Sequence, residues 1–235
     1  MRRVACRTTL VALTLALAVA GCRAADPQRP VDVASFTEPI RVACVGDSIT
    51  FGAGIKDRKT QAYPAQLGRR LGKAWDVRNF GVSGATLLKQ GDKPYWKLKA
   101  FEQALAFRPH VVIIKLGTND TKPQNWKHKD AFAADYEAMI DRFAGLATHP
   151  RIFMCRPVPA FPGRWGIRDE IIRGEVLPLV DRVAKKKGVG VIDLYAALSG
   201  KKEMFPDTVH PNAKGAGEMV KAIAAVLVGT PRPTK

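Results

Sequence analysis

Acidic residues are scarce in this chain: 21 Asp and Glu stand against 38 Lys and Arg in 235 residues, a formal charge of +17. Cysteine is scarcer still. Four are present, too few for a disulfide-stapled scaffold. There is no internal repeat and no low-complexity tract, which removes solenoids and fibrous arrays. Apolar runs are short; Leu10 to Ala20 is about half of the ~20 residues a spanning helix needs. Three catalytic signatures are missing as well. No Gly-x-Ser-x-Gly elbow occurs, which argues against the α/β-hydrolase arrangement. Neither a His-Glu-x-x-His zinc motif nor a phosphate-cradling glycine loop is found.

What is present is an ordinary globular composition, 46% apolar and 25% charged. The length suits one domain with a complete core. The first residues stand apart from it. Met1-Arg2-Arg3 is a basic leader, Leu10 to Ala20 an apolar segment, and Val19-Ala20-Gly21-Cys22 resembles the bacterial lipobox, in which the cysteine is lipidated. Residues 1–21 are therefore expected to be a lipoprotein signal peptide, with Cys22 as membrane anchor. A plain signal peptide and a soluble secreted product are the alternative. Residues 22–38, with Pro27 and Pro30 and no periodicity, are expected to be a flexible tether, residues 39–230 the domain, and residues 231–235 a tail. Export places the protein in the cell envelope, on the periplasmic face or outer membrane, and makes nucleic acid an unsuitable partner despite the charge. Loss of Arg2, Arg3 and Arg7 with the leader lowers the charge to +14. Such a charge attracts anionic lipid or glycan, and equally describes well-solvated basic faces.

Five short apolar runs punctuate the remainder: Ile40 to Gly46, Trp75 to Phe80, His110 to Leu116, Arg151 to Arg156 and Val189 to Leu194. Helical spacing fills the gaps at 63–72, 98–107, 131–146, 168–187 and 211–227. Strands alternating with helices predict a parallel sheet covered on both faces, with ligands bound beyond the carboxyl ends of its strands. Cys44 and Cys155 each fall in such a strand, where a buried free thiol and a disulfide are both open. No metal-type spacing is present, and no metal or organic cofactor is expected.

Three polar clusters lie just past strand ends: Gly46-Asp47-Ser48, Asn79 to Gly84, and Gly117-Thr118-Asn119-Asp120. A fourth, Asp207 to Asn212, precedes the last helix. One edge of a doubly wound sheet would gather all four. A serine there needs a base, which His210 can supply, and Asp207 three residues earlier can hold the imidazole's tautomer. Backbone N–H groups of Ser48 and Gly84, with the Asn119 amide, can stabilise an oxyanion. Each residue also has a plainer reading. Ser48, Asn119 or Asp207 can serve as a cap, and Gly84 can serve a tight turn. His110, His128 and His149 compete with His210, but two of them sit at strand starts.

In order and context these clusters resemble the four sequence blocks of the SGNH hydrolases, also called the GDSL esterase/lipase family, over roughly residues 40–228. The resemblance implies a three-layer αβα sandwich on a five-stranded, flavodoxin-like parallel sheet. It implies Ser48, Asp207 and His210 as catalytic residues, with Ser48, Gly84 and Asn119 as the oxyanion hole. Gly117 to Trp126 resembles a bacterial subgroup of sialate and carbohydrate O-acetylesterases. The expected activity is hydrolysis of short acyl esters, O-acetyl on carbohydrate first. Aryl ester, lysophospholipid or thioester hydrolysis is the second possibility, and acetyl transfer or inactive glycan binding the third. Asp47, Trp126, Phe161 and Trp165 are the expected substrate contacts, since aromatic platforms beside polar groups suit sugars.

Overall fold

A computed structural model describes residues 26–229 except Gly163. The expected signal peptide, lipid site at Cys22 and tail lie outside the described residues. Five strands form one parallel sheet: β1 (Ile40–Gly46), β2 (Trp75–Gly81), β3 (Val111–Lys115), β4 (Arg151–Arg156) and β5 (Gly190–Asp193). Their order is β2-β1-β3-β4-β5. The chain therefore leaves β1 in opposite directions toward β2 and β3, the switch point at which such sheets open a binding crevice.

Ten α-helices accompany the sheet among the described residues: α1 (Ser48–Phe51), α2 (Arg58–Gln61), α3 (Tyr63–Leu71), α4 (Lys99–Ala106), α5 (Pro123–Trp126), α6 (Phe132–Ala144), α7 (Asp169–Ile171), α8 (Leu177–Lys187), α9 (Leu194–Leu198) and α10 (Ala213–Val228). Strand side chains alternate faces, and both faces are apolar here because both are covered. Ala43, Val45, Val112, Ile114, Ile152 and Met154 pack against α4, α6 and α8 through Phe101, Phe143 and Val180. Val42, Cys44, Val111, Ile113, Phe153 and Cys155 pack against α3 and α10 through Leu67, Met219 and Ile223. This is the three-layer α/β sandwich expected from the alternation. Cys44 and Cys155 are both buried and free; burial pushes the Cys44 thiol up to about 12 and that of Cys155 higher still.

One expectation needs correction. Residues 26–38 are not a loose tether, for they pack along the edge where the strands begin. Val31 is buried and donates its N–H to the Leu227 carbonyl at 2.7 Å. Arg151 donates to the Pro27 carbonyl at 3.0 Å, and the Phe36 ring lies tilted 4.9 Å from His110. Residues 169–187 are helical, as expected, with a π-helical turn, Ile172–Val176, set between α7 and α8. Pro178 near the start of α8 has no N–H for the Gly174 carbonyl and its ring crowds that turn, so the turn widens.

Candidate active site

The turn after β1 is built around a close approach. A Cβ on Gly46 would stand 2.7 Å from the Lys115 carbonyl and 2.1 Å from Thr50 Oγ1, so only glycine fits. Asp47 caps α1, with Oδ1 accepting the Ile49 N–H at 2.9 Å. Ser48 opens the helix and remains 8% exposed. Its Oγ lies 2.8 Å from His210 Nε2. The other ring nitrogen, Nδ1, lies 2.7 Å from Asp207 Oδ2. Asp207 Oδ1 accepts the N–H groups of Val209 and His210 at 3.0 and 2.7 Å. Burial alone would raise the Asp207 carboxyl, but those N–H groups and the imidazole outweigh it and hold it below the usual carboxylate range.

Between Asp207 and His210 the chain passes through Thr208 at φ +71°, a conformation β-branched residues avoid. Three contacts hold it there. Its Oγ1 donates to the Pro162 carbonyl at 2.8 Å, its own carbonyl accepts the Phe161 N–H at 2.8 Å, and its N–H donates to the Phe205 carbonyl. The loop carrying Trp165 is thereby joined to the loop carrying His210. Trp165, also at positive φ (+56°), stays 53% exposed with its ring 5.3 Å from the imidazole.

Opposite His210 stand Gly84 and Asn119. Gly84 has φ +81°, and among the described residues no backbone carbonyl accepts its N–H. Asn119 Nδ2 donates to the Ala85 carbonyl at 3.1 Å, and an amide nitrogen carries a second N–H. Ser48, Ala53, Ser83, Gly84, Asn119, Lys122, Trp165, Ile167 and His210 line an open cavity of about 200 Å³. A polar scaffold fixes these pieces from below. The fully buried Lys115 donates to Asp47 at 2.9 Å and to Thr118 at 2.7 Å, joining the Ser48 turn to the Asn119 turn. Asp120 accepts the N–H groups of Leu87 and Leu88 at 3.0 and 2.8 Å, and Asp135 accepts that of Lys89 at 2.9 Å. Burial pushes the Asp120 carboxyl up to about 7, against the pull of the Leu88 and Leu87 N–H groups and with the Asp47 charge adding to it.

Of the residues expected from the sequence, the structure brings together Ser48, Gly84, Asn119, Asp207, His210 and Trp165. It does not bring Asp47, Trp126 or Phe161 to the cavity, and that corrects their expected role as substrate contacts. Asp47 is buried on Lys115. Trp126 is 5% exposed and gives its indole N–H to Glu175. Phe161 packs on Phe205 at 5.0 Å. The sequence reading missed Lys115, Lys122, Asp120 and Ile167. Lys115 closes an otherwise apolar strand at the site's edge, which was the available signal. Among the described residues no three His, Cys, Asp or Glu side chains gather as a metal centre.

Serine, histidine and aspartate hydrogen-bonded in series, at the carboxyl edge of a 2-1-3-4-5 sheet and beside two candidate oxyanion donors, define an α/β protein with a Ser–His–Asp array at its binding edge. The chain belongs to the GDSL-like lipase/acylhydrolase family, whose profile matches residues 44–217. It is 43% identical over 208 residues to an acetylxylan esterase of Xylanibacter ruminicola, a match covering 81% of this chain and 43% of that protein. The chain thus spans less than half the length of this relative. Among solved structures it is similar to a carbohydrate acetylesterase from Sinorhizobium meliloti, with TM-score 0.65, 22% identity and coverage of 79% of this chain and 96% of that one. The aryl esterase of M. smegmatis matches with TM-score 0.65, 21% identity and coverage of 79% and 96%. At these identities the likeness establishes the shared fold.

Proposed function

We propose that this protein is a serine carboxylic ester hydrolase that removes short acyl groups, O-acetyl first, from carbohydrate. The observation that carries the reading is the Ser48–His210–Asp207 chain, 2.8 and 2.7 Å per link, opening on a cavity of about 200 Å³. Ser48 Oγ attacks the ester carbonyl as His210 Nε2 takes its proton. The oxyanion rests on the N–H groups of Ser48 and Gly84 and the Asn119 amide. His210 returns the proton to the leaving alcohol, and an acyl-enzyme remains. Water, deprotonated by His210, attacks the acyl carbon, and His210 returns that proton to Ser48 Oγ as the carboxylic acid leaves. Asp207 keeps the imidazole oriented and balances its transient charge. The small cavity favours a short acyl group, and Trp165 offers an exposed ring to a sugar. A 43% identical relative named for acetylxylan supports the carbohydrate.

The test is acetate release from acetylated xylan beside turnover of 4-nitrophenyl acetate and octanoate. The reading expects release, and acetate turned over well ahead of octanoate. Ser48→Ala abolishes both activities, and Asn119→Ala costs on the order of 10²-fold in kcat. Full turnover by a folded Ser48→Ala protein refutes the nucleophile. Octanoate preference, or acetyl passed to a sugar acceptor in place of water, refutes the substrate assignment.

We further propose export and lipid anchoring at Cys22, supported by the lipobox-like run. Residues 26–38 lie along the strand-start edge, at the other end of the strands from the cavity. Membrane association lost in Cys22→Ser is the expected result; a Cys22→Ser protein that fractionates unchanged refutes the anchor.

A further inference from the structure

The N–H of Gly84 and the carbonyl of Ser83 belong to one peptide unit. Lys93 Nζ donates to that carbonyl at 3.0 Å. The lysine stem lies over the glycine, with Cδ 3.5 Å from the place a Gly84 Cβ would take. Its main chain is held as well. The Lys93 carbonyl accepts the Thr86 N–H at 2.9 Å, the Thr86 carbonyl accepts the Tyr95 N–H at 2.9 Å, and the neighbouring Asp92 N–H donates to Asn125 Oδ1 at 2.8 Å. The ammonium therefore ends on a carbonyl rather than a carboxylate, at the rim of the cavity that Ser83 and Gly84 line.

We propose that Lys93 is a positioning residue that polarises the oxyanion-binding peptide. This rests on the reading of Gly84 N–H as an oxyanion donor. A cation donating to the Ser83 carbonyl draws electron density toward that oxygen, so the N–H at the other end of the unit becomes the stronger donor. The bond also fixes the plane of the peptide, and with it the direction of the N–H. Lys93 touches no substrate atom. Negative charge on the substrate oxygen develops in the transition state, so the gain falls on kcat rather than on KM. Lys93 is exposed, and water screens its charge. The effect is accordingly about three- to tenfold, smaller than removal of an oxyanion donor itself.

Lys93→Met keeps the stem over Gly84 and removes the charge, whereas Lys93→Arg keeps a cationic donor. Both are compared with the parent protein for kcat and KM on 4-nitrophenyl acetate, affinity for methylboronic acid as a tetrahedral adduct on Ser48, and thermal midpoint. The expected result for Lys93→Met is a three- to tenfold fall in kcat, KM within twofold, boronate affinity down by the same factor as kcat, and an unchanged midpoint. Lys93→Arg recovers most of the loss. Parent-like kcat and boronate affinity in Lys93→Met overturn the proposal. So does a loss confined to KM, or one that persists in Lys93→Arg beside a lowered midpoint. Ser48→Ala separates the two levels. A fully active Ser48→Ala protein overturns the underlying mechanism, while an inactive one beside an unaffected Lys93→Met overturns the Lys93 role alone.

Discussion

Asp207 shows how much a single residue is asked to do in this site. One carboxylate oxygen faces His210 Nδ1, and the other gathers two N–H groups of the turn that carries the same histidine. Orientation of the ring and shape of the turn thus depend on one side chain. Asp207→Asn retains an acceptor for the turn but presents an amide where a carboxylate met the imidazole, and the favoured tautomer is lost. The expected outcome is a fall in kcat on the order of 10²–10⁴-fold with little change in KM, read from steady-state turnover of 4-nitrophenyl acetate. A loss appearing in KM alone refutes the orienting role. The carboxyl is held below its ordinary range, so its contribution to stability is present above that range and lost as pH falls through it. Thr208 and Trp165 hold positive φ on either side of His210. Such strain persists where surrounding contacts over-determine it, and the Thr208–Pro162–Phe161 bonds supply them.

Between elements, the decisive links are polar and buried. Lys115, at the end of β3, binds Asp47 at the end of β1 and Thr118 beside Asn119. Lys115→Met leaves the Asp47 carboxylate without its cation in a site closed to water. A loss of about 3–5 kcal/mol of stability is expected, measured by urea unfolding, and unchanged stability would refute the pair's structural role. Asp120 makes the opposite electrostatic statement. Its carboxyl is raised to about 7, so between pH 4 and 7 the folded state holds a proton that the unfolded state releases. That contribution is complete below pH 4 and is lost as pH rises through 7, by up to about 4 kcal/mol. Urea unfolding at pH 5 and pH 8 is therefore expected to show a drop that Asp120→Asn lacks; equal slopes for the two proteins refute it. The same pairs mark the limit of what is legible in the sequence. Strands β1, β3 and β4 announce themselves as continuous apolar runs, and Ser48, Asn119 and His210 by polar clusters just beyond them or before the last helix. A lysine closing the apolar run of β3 is a local sign of a buried charge, but its partner Asp47 is 68 positions away, and nothing local names it. Trp126 misleads for the same reason, because its loop position suggests exposure while its partner, Glu175, is 49 residues away.

At the scale of the whole molecule, the sheet has two working edges. The strand ends carry the cavity, and the strand starts carry residues 26–38. Pro27, Pro30 and scattered charge give no periodicity, so the sequence alone offers only a tether along that second edge. The segment is ordered by single long-range contacts: Val31 on α10 through Leu227, Gln28 on the Val191 carbonyl at 3.1 Å, and Pro27 on Arg151. Burying one valine side chain contributes about 1.5–3 kcal/mol, and the bonds to Leu227, Val191 and Arg151 hold the segment in place. A chain beginning at residue 39 is therefore expected to lose about 1–3 kcal/mol relative to one beginning at residue 23, by urea unfolding. Turnover of 4-nitrophenyl acetate at 25 °C should stay within twofold, since no residue of 26–38 approaches Ser48. Equal stability of the two chains would mean that the segment's contacts only balance its ordering. A large loss of turnover would mean that the strand-start edge supports the catalytic edge across the sheet.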